Sequence, residues 1–329
     1  MLQLNNSTPF EAGFCLFPNE DGIDTLYIMV KATFKIGQQW SLADKQIKVT
    51  AADEYWGEPE KSSIKKASDY HLAKKSTDIV MVGNAFSPNG QNVQQLDVSL
   101  KVGSQQKIVR VFGDRHWKKG LITQPLPFQS MPMVYERAYG GQHKHKGIIY
   151  NEPSNPIGLG FIGKRSIAEL EGLPLPNLED PNQLISSFNV KPTPACFAPS
   201  APFWQPRVAY SGTYDEQWQT TRAPYLPFDF DKRFLNIAHQ DLIASTYLTG
   251  GERVEISNMH NRGNLAFDLP HVGFNAEVEM AKEFYRTSFN LETLTLMPND
   301  LSLSMLWRAE LVCDKNMLKI STITIKSQR

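Results

Sequence analysis

The chain has 329 residues, and its 34 Lys plus Arg are balanced by 34 Asp plus Glu. Zero net charge speaks against nucleic acid or an anionic membrane as partner, because both are held by excess positive charge. With 41% hydrophobic and 21% charged residues the composition is globular, and the length suits two average domains or one large β domain.

The charge is unevenly spread. Residues 101–150 hold nine Lys/Arg against two Asp/Glu, which reads as a solvated basic face. Cys15, Cys196 and Cys313 are odd in number, far apart and set among apolar or small residues. They read as buried free thiols, not as a disulfide framework or zinc site. Met1 to Asn6 has neither a basic nor an apolar signal region, and no run approaches the ~18 apolar residues of a membrane span. A cytoplasmic protein is expected.

In chain order, Phe14–Phe17 and 25–36 predict a hairpin, turned by Pro18-Asn19-Glu20-Asp21-Gly22. In the second run Leu26, Ile28, Val30, Ala32, Phe34 and Ile36 share one face, and Lys31, Thr33 and Lys35 take the other, the pattern of a half-buried strand. Residues 60–76 are Lys- and Ser-rich and predict a loop or short surface helix. A strand over 78–86 follows, then a second hairpin from Leu96–Val102 to Val109–Phe112.

From 120 to 235 the texture changes. Fifteen of the 21 prolines fall here, interleaved with aromatics such as Phe128, Tyr135, Tyr139, Trp204 and Trp218. A disordered linker would be poor in aromatics, so this is an ordered, loop-rich region packed on the sheets. Asp231–Gln240 predicts a short helix. The β pattern returns at 253–256, 292–296, 301–307 and 318–325. The fold expected is mainly β with short α insertions. It divides into two β-sandwich-like units, 1–120 and 235–329, bridged by 121–234, or forms one continuous double sheet.

Gly158-Leu159-Gly160-Phe161-Ile162-Gly163 matches a dinucleotide fingerprint, but its context fails. Asn155-Pro156 stands where a strand is needed, Arg165 where a phosphate loop needs a hydroxyl, and the candidate helix Ser166–Glu171 stops at Gly172. His143 and His145 lack a third ligand and sit among lysines, so they read as exposed loop residues. No nucleophile elbow or zinc-protease motif occurs. No catalytic centre, cofactor or metal is expected.

Four clusters are dense in special residues: Phe112–Trp117, Met131–Gly141, Trp204–Arg207, and Gly212–Asp215 with Trp218, Arg222 and Pro224. Arg beside Trp or Tyr allows stacking and forked hydrogen bonds, the chemistry of protein interfaces. The simpler reading for most of them is that they pin the Pro-rich region to the sheets.

These clusters carry a resemblance. Gly113-Asp114-Arg115-His116-Trp117, Met131-Pro132 with Tyr135–Gly141, Asn155–Phe161, Leu175-Pro176-Asn177, Trp204–Arg207, Gly212–Asp215 with Trp218, Leu226-Pro227 with Asp229-Phe230, and Gly250-Gly251-Glu252 follow one another in a consistent order. Over about residues 10–310 the chain resembles the domain-of-unknown-function family twenty-one sixty-nine of bacterial type VI secretion loci. Tyr139 stands where the family pattern suggests Phe, a conservative departure. The resemblance implies a non-catalytic adaptor or chaperone that binds a secreted effector carrying a PAAR-like domain and aids its loading onto the secretion spike. It also assigns Asn-Pro-x-Gly-x-Gly-Phe to the family pattern. Candidate partner-contact or family-motif residues are Arg115, Trp117, Arg137, Tyr139, Trp204, Arg207, Trp218 and Arg222. Two other readings stay open: a hydrolase with its site in the aromatic-rich centre, and a structural component of the secretion machine.

Overall fold

The structure, a computed structural model, describes residues 2–37 and 39–328. Its principal strands, in chain order, are β1 (Gln3–Asn6), β2 (Glu11–Pro18), β3 (Asp24–Lys35), β4 (Asp78–Met81), β5 (Gln95–Val102), β6 (Gln105–Phe112) and β7 (Leu178–Glu179). They continue with β8 (Arg253–Ser257), β9 (Leu265–Asp268), β10 (Phe274–Met280), β11 (Glu283–Ser288), β12 (Asn290–Met297), β13 (Ser302–Val312) and β14 (Ile320–Ser327).

These strands form three sheets. The central sheet runs β2-β3-β13-β12-β4 and is antiparallel except for the parallel β12–β4 pair. The second runs β7-β6-β5-β8-β9, antiparallel throughout. The third runs β1-β14-β10-β11, with β1 and β14 parallel. The protein is mainly β, as expected, with short 3-10 turns and, among the described residues, a single α-helix, α1 (Glu216–Thr221).

The terminal segments build these sheets jointly. β3 lies between β2 and β13, in register with the latter from Lys35↔Ser302 to Thr25↔Val312. β5 pairs with β8, and β1 with β14. Each large sheet therefore takes strands from both sides of 121–234. The inner faces share one apolar cluster, in which Phe10, Phe34, Phe274 and Trp307 meet by ring contacts at 5.1–5.9 Å.

Both predicted hairpins are present. β3 differs from its half-buried expectation, since both of its faces are covered. Tyr27 and Met29 pack with Cys15, Ala73 and Leu306 in a second cluster, under Val49, Tyr70 and Leu72. Lys31 and Thr33 are buried too. The long excursion after β3 folds back over the sheet, which a strand's own periodicity does not reveal. Within it, Glu54–Tyr55 pairs with Ile64–Lys66. The last strand begins at Ile320; Leu318 is in a 3-10 turn and 92% exposed. Residues 231–240 form 3-10 turns at Lys232–Leu235 and from Gln240.

Candidate functional site

The eight candidate residues fall into three groups. The first closes the loops that follow β6. Chain reversal after Phe112 lays the Arg115 guanidinium 3.6 Å from the Phe112 ring centroid. Arg115 also donates to the Pro176 carbonyl at 3.2 Å and ion-pairs with Glu179 of β7. The Glu179 carboxylate in turn accepts the Ile185 N–H at 2.7 Å. Burial pushes the Glu179 carboxyl up, against the pull of Arg115, and lowers the guanidinium. Arg137 donates to Asp114 at 3.2 Å and to the Asn177 side-chain oxygen at 3.0 Å, while Asn177 donates to Asp114 at 2.9 Å. Trp117 and Tyr139 are each 3% exposed, packed with Leu170, Leu175 and Ile185. All of these contacts are made within the chain, those of Arg115, Trp117 and Tyr139 in its interior and the Arg137–Asp114 pair at the surface.

The glycine motif belongs to this group. Leu159–Gly160 pairs in parallel with Tyr139–Gly140. The Leu159 N–H donates to Ala138 O and the Phe161 N–H to Gly140 O, both at 2.9 Å. Amides that a phosphate would need are thus turned onto backbone carbonyls. Asn155 donates to the Tyr135 and Tyr139 carbonyls at 2.8 and 2.9 Å, and the strands approach so closely that a Cβ on Gly140 would sit 2.1 Å from Asn155 O.

The second group anchors the Pro-rich segment. Trp204 is 1% exposed and meets Tyr135 edge-on at 5.2 Å. Arg207 donates to the Phe234 carbonyl at 3.0 Å and to the Ser200 carbonyl, and burial lowers its pKa.

The third group is different. Residues 212–230 form a lobe around α1, whose N-cap Asp215 accepts the Trp218 N–H at 2.8 Å. The Trp218 indole donates to Tyr225 O at 2.9 Å, and its ring meets Tyr214 at 4.8 Å. Arg222 donates to Leu226 O at 2.8 Å and across to Glu20 O, in the β2–β3 turn, at 2.7 Å. Its guanidinium lies 4.5 Å from the Phe228 ring centroid. The donors are thus used internally while ring faces stay in solvent: Phe228 is 80%, Tyr214 53% and Tyr225 39% exposed. The neighbouring turn adds Ile23 at 38%. A rigid ledge of this kind suits association with another apolar surface.

Elsewhere the chemistry is quiet. Burial pushes the Cys15 and Cys196 thiols up to about 11 and about 12, away from a nucleophilic thiolate. His143 and His145 have ring centroids 5.9 Å apart, and no cluster of three metal-ligating side chains occurs among the described residues. No helix of the described residues is long and apolar enough to cross a membrane.

Sequence reasoning missed one ionic network, on the outer face of the central sheet. Lys31 pairs with Asp69 at 2.7 Å, Lys74 with Asp78 at 2.6 Å and Arg308 with Glu292 at 2.6 Å, all buried. His71 lies beside Arg308 at 3.4 Å, and burial with the Arg308 and Lys74 charges holds it neutral. The only sequence signal is the density of Asp69, His71, Lys74 and Asp78 at the start of an apolar strand and just before it, where the Lys- and Ser-rich composition read as a loop or short surface helix.

No curated protein and no solved structure matches the chain. Residues 21–308 match the family described as "Uncharacterized protein conserved in bacteria (DUF2169)". That span covers most of the chain, and the protein belongs to the DUF2169 family.

Proposed function

We propose that the protein is a non-catalytic adaptor that binds a type VI secretion effector carrying a PAAR-like domain, keeps it soluble and presents it to the secretion spike. The setting rests on the resemblance carried by the ordered series of motifs, and the matched family is one of bacterial proteins. The observation that carries the reading is the ledge of exposed Tyr214, Tyr225 and Phe228 around the half-buried Trp218, tied to the β2–β3 turn by Arg222. Tip domains expose apolar surface before docking, and a pre-ordered aromatic surface covers it with little entropy left to lose. The edge strand β11, with Phe284 68% exposed, offers a second means of contact by strand pairing.

Co-expression of the tagged chain with the effector encoded beside it, followed by pull-down and size-exclusion chromatography, tests the proposal. A stoichiometric complex that renders the effector soluble is expected. Two folded proteins that elute apart would refute it, and stable self-association without the effector would favour a structural component instead.

A further inference from the structure

The outer face of the central sheet is polar where a covered sheet is ordinarily apolar. Lys31 of β3 registers with Leu306 of β13, and Leu306 with Thr293 of β12. One step on, Ser304 registers with Thr295, and Thr295 with Val80 of β4. These side chains share one face and form the floor of a cavity of about 380 Å³, roofed by segments of residues 47–74. That volume lies in the range of small-molecule sites, roughly 300–1,000 Å³. Val80, Val82, Leu306 and Ile237 give it apolar walls. The exposed Trp56 stands at the mouth, with the Lys65 ammonium 4.8 Å over its ring.

Hydrogen-bond capacity decides what the polar end accepts. An ammonium has three N–H donors. Lys31 uses one on Asp69 at 2.7 Å and one on Thr50 at 3.0 Å. Lys74 uses one on Asp78 at 2.6 Å and one on Thr293 at 3.1 Å. Each therefore keeps one donor beyond its partners among the described residues, and both lysines line the cavity. Asp69 takes Lys31 and the Thr50 N–H, at 2.7 Å, on the same oxygen, Oδ2. Ser304 and Thr295 add hydroxyls to the floor. Lysines outnumber carboxylates in the lining, with Lys31, Lys65, Lys66 and Lys74 against Asp69 and Asp300, so the cavity is cationic in balance and has apolar walls.

We infer that this cavity binds a small apolar carboxylate. Its body lies against Val80, Leu306 and Ile237, its head accepts from Lys31 and Lys74, and Trp56 covers the entrance. An aromatic C-terminal residue of a polypeptide shares this chemistry; the cavity's modest volume and recessed floor favour the free acid. The inference is independent of the adaptor reading and rests on a different face of the molecule.

Calorimetric titration of the full chain with naphthalene-2-carboxylate provides the test, with naphthalene-2-methanol as the uncharged isostere. One saturable site per chain is expected, with the alcohol at least ten-fold weaker. Leu306→Trp, which fills the floor, should abolish binding. Trp56→Ala alters only an exposed side chain and should weaken binding several-fold with an unchanged circular dichroism spectrum, so a misfolded core variant does not decide the matter. Absence of saturable binding to the folded wild type overturns the inference. So does equal affinity for the alcohol, or binding unchanged in both variants. Tighter binding of a tripeptide ending in a free-carboxylate Trp than of the naphthoate would overturn the small-molecule assignment in favour of a chain terminus.

Discussion

Glu292 is the extra residue of a bulge in β12, and it turns its carboxylate onto Arg308 of the adjacent β13, with 2.6 Å between Oε2 and Nε. Neither side chain is more than 1% exposed. The other carboxylate oxygen accepts the Lys74 N–H at 2.7 Å, and Arg308 donates to the Asp69 carbonyl at 2.6 Å. The pair therefore ties the covering segment to the sheet. Removing one partner strands a buried charge, at a cost of about 3–5 kcal/mol. Glu292→Gln should lose stability on that order in urea denaturation. Glu292→Leu combined with Arg308→Met should lose clearly less than the two single changes together. A loss below about 1 kcal/mol for Glu292→Gln would refute the argument.

The glycine motif gives a prediction of the opposite kind, steric instead of electrostatic. Gly140 has φ +148°, and a Cβ there would collide with the Asn155 carbonyl. Gly172 also has positive φ, +77°, but faces open space. Gly140→Ala should prevent accumulation of soluble protein. Gly172→Ala should cost only about 1 kcal/mol, the ordinary penalty of a left-handed alanine. Comparable solubility and melting temperatures for the two variants would contradict this account.

Aromatic residues that look alike in the sequence should respond differently. Trp204→Ala removes a fully enclosed indole and should destabilise by about 3–5 kcal/mol, so loss of effector binding in that variant would be uninformative. Phe228→Ala alters a ring that is 80% exposed and should leave stability within about 0.5 kcal/mol. If the ledge is the docking surface, Phe228→Ala with Tyr214→Ala lowers effector capture at unchanged melting temperature. Unchanged capture would remove the ledge from the proposal.

The lobe should loosen in acid. The Asp229 carboxyl is held low by the Thr213 N–H and hydroxyl, and Asp231 by its hydrogen bonds from Arg233. Burial works against Glu20, yet its hydrogen bond and attraction to Lys232 still hold it below the usual value. All three shifts are downward in the folded state. Their contribution is therefore complete above about pH 5 and is lost as pH falls through the folded values. An acid titration of tryptophan fluorescence should show a transition that Trp218→Phe removes, at a pH above that of global unfolding. A single transition common to both proteins would count against it.

Much of the fold was legible because alternation and turn chemistry are local. The β2–β3 and β5–β6 hairpins follow from Pro18–Gly22 and from the Gly103-Ser104 turn between alternating runs. The sheet partners were not legible: nothing local to β3 says that β13, nearly the whole chain away, lies beside it. For the same reason Lys31 read as a solvent residue, since the segment that buries it comes from beyond the strand. Among the candidate residues, composition picked out the Arg and aromatic clusters but could not sort them. Arg115 and Arg222 both sit beside aromatic rings. Only the packing shows that one pair faces Glu179 in the interior while the other borders solvent.

Pairing of residues 3–6 with 322–325 has a consequence for synthesis. The third sheet closes only after residue 325 has left the ribosome. Until then β3 lacks β13, and an apolar strand waits with one edge unpaired. Contacts of such sequence separation form late and slowly. A protein proposed to shelter another chain's exposed surface thus passes through a vulnerable interval of its own, as long as the time needed to translate nearly three hundred residues.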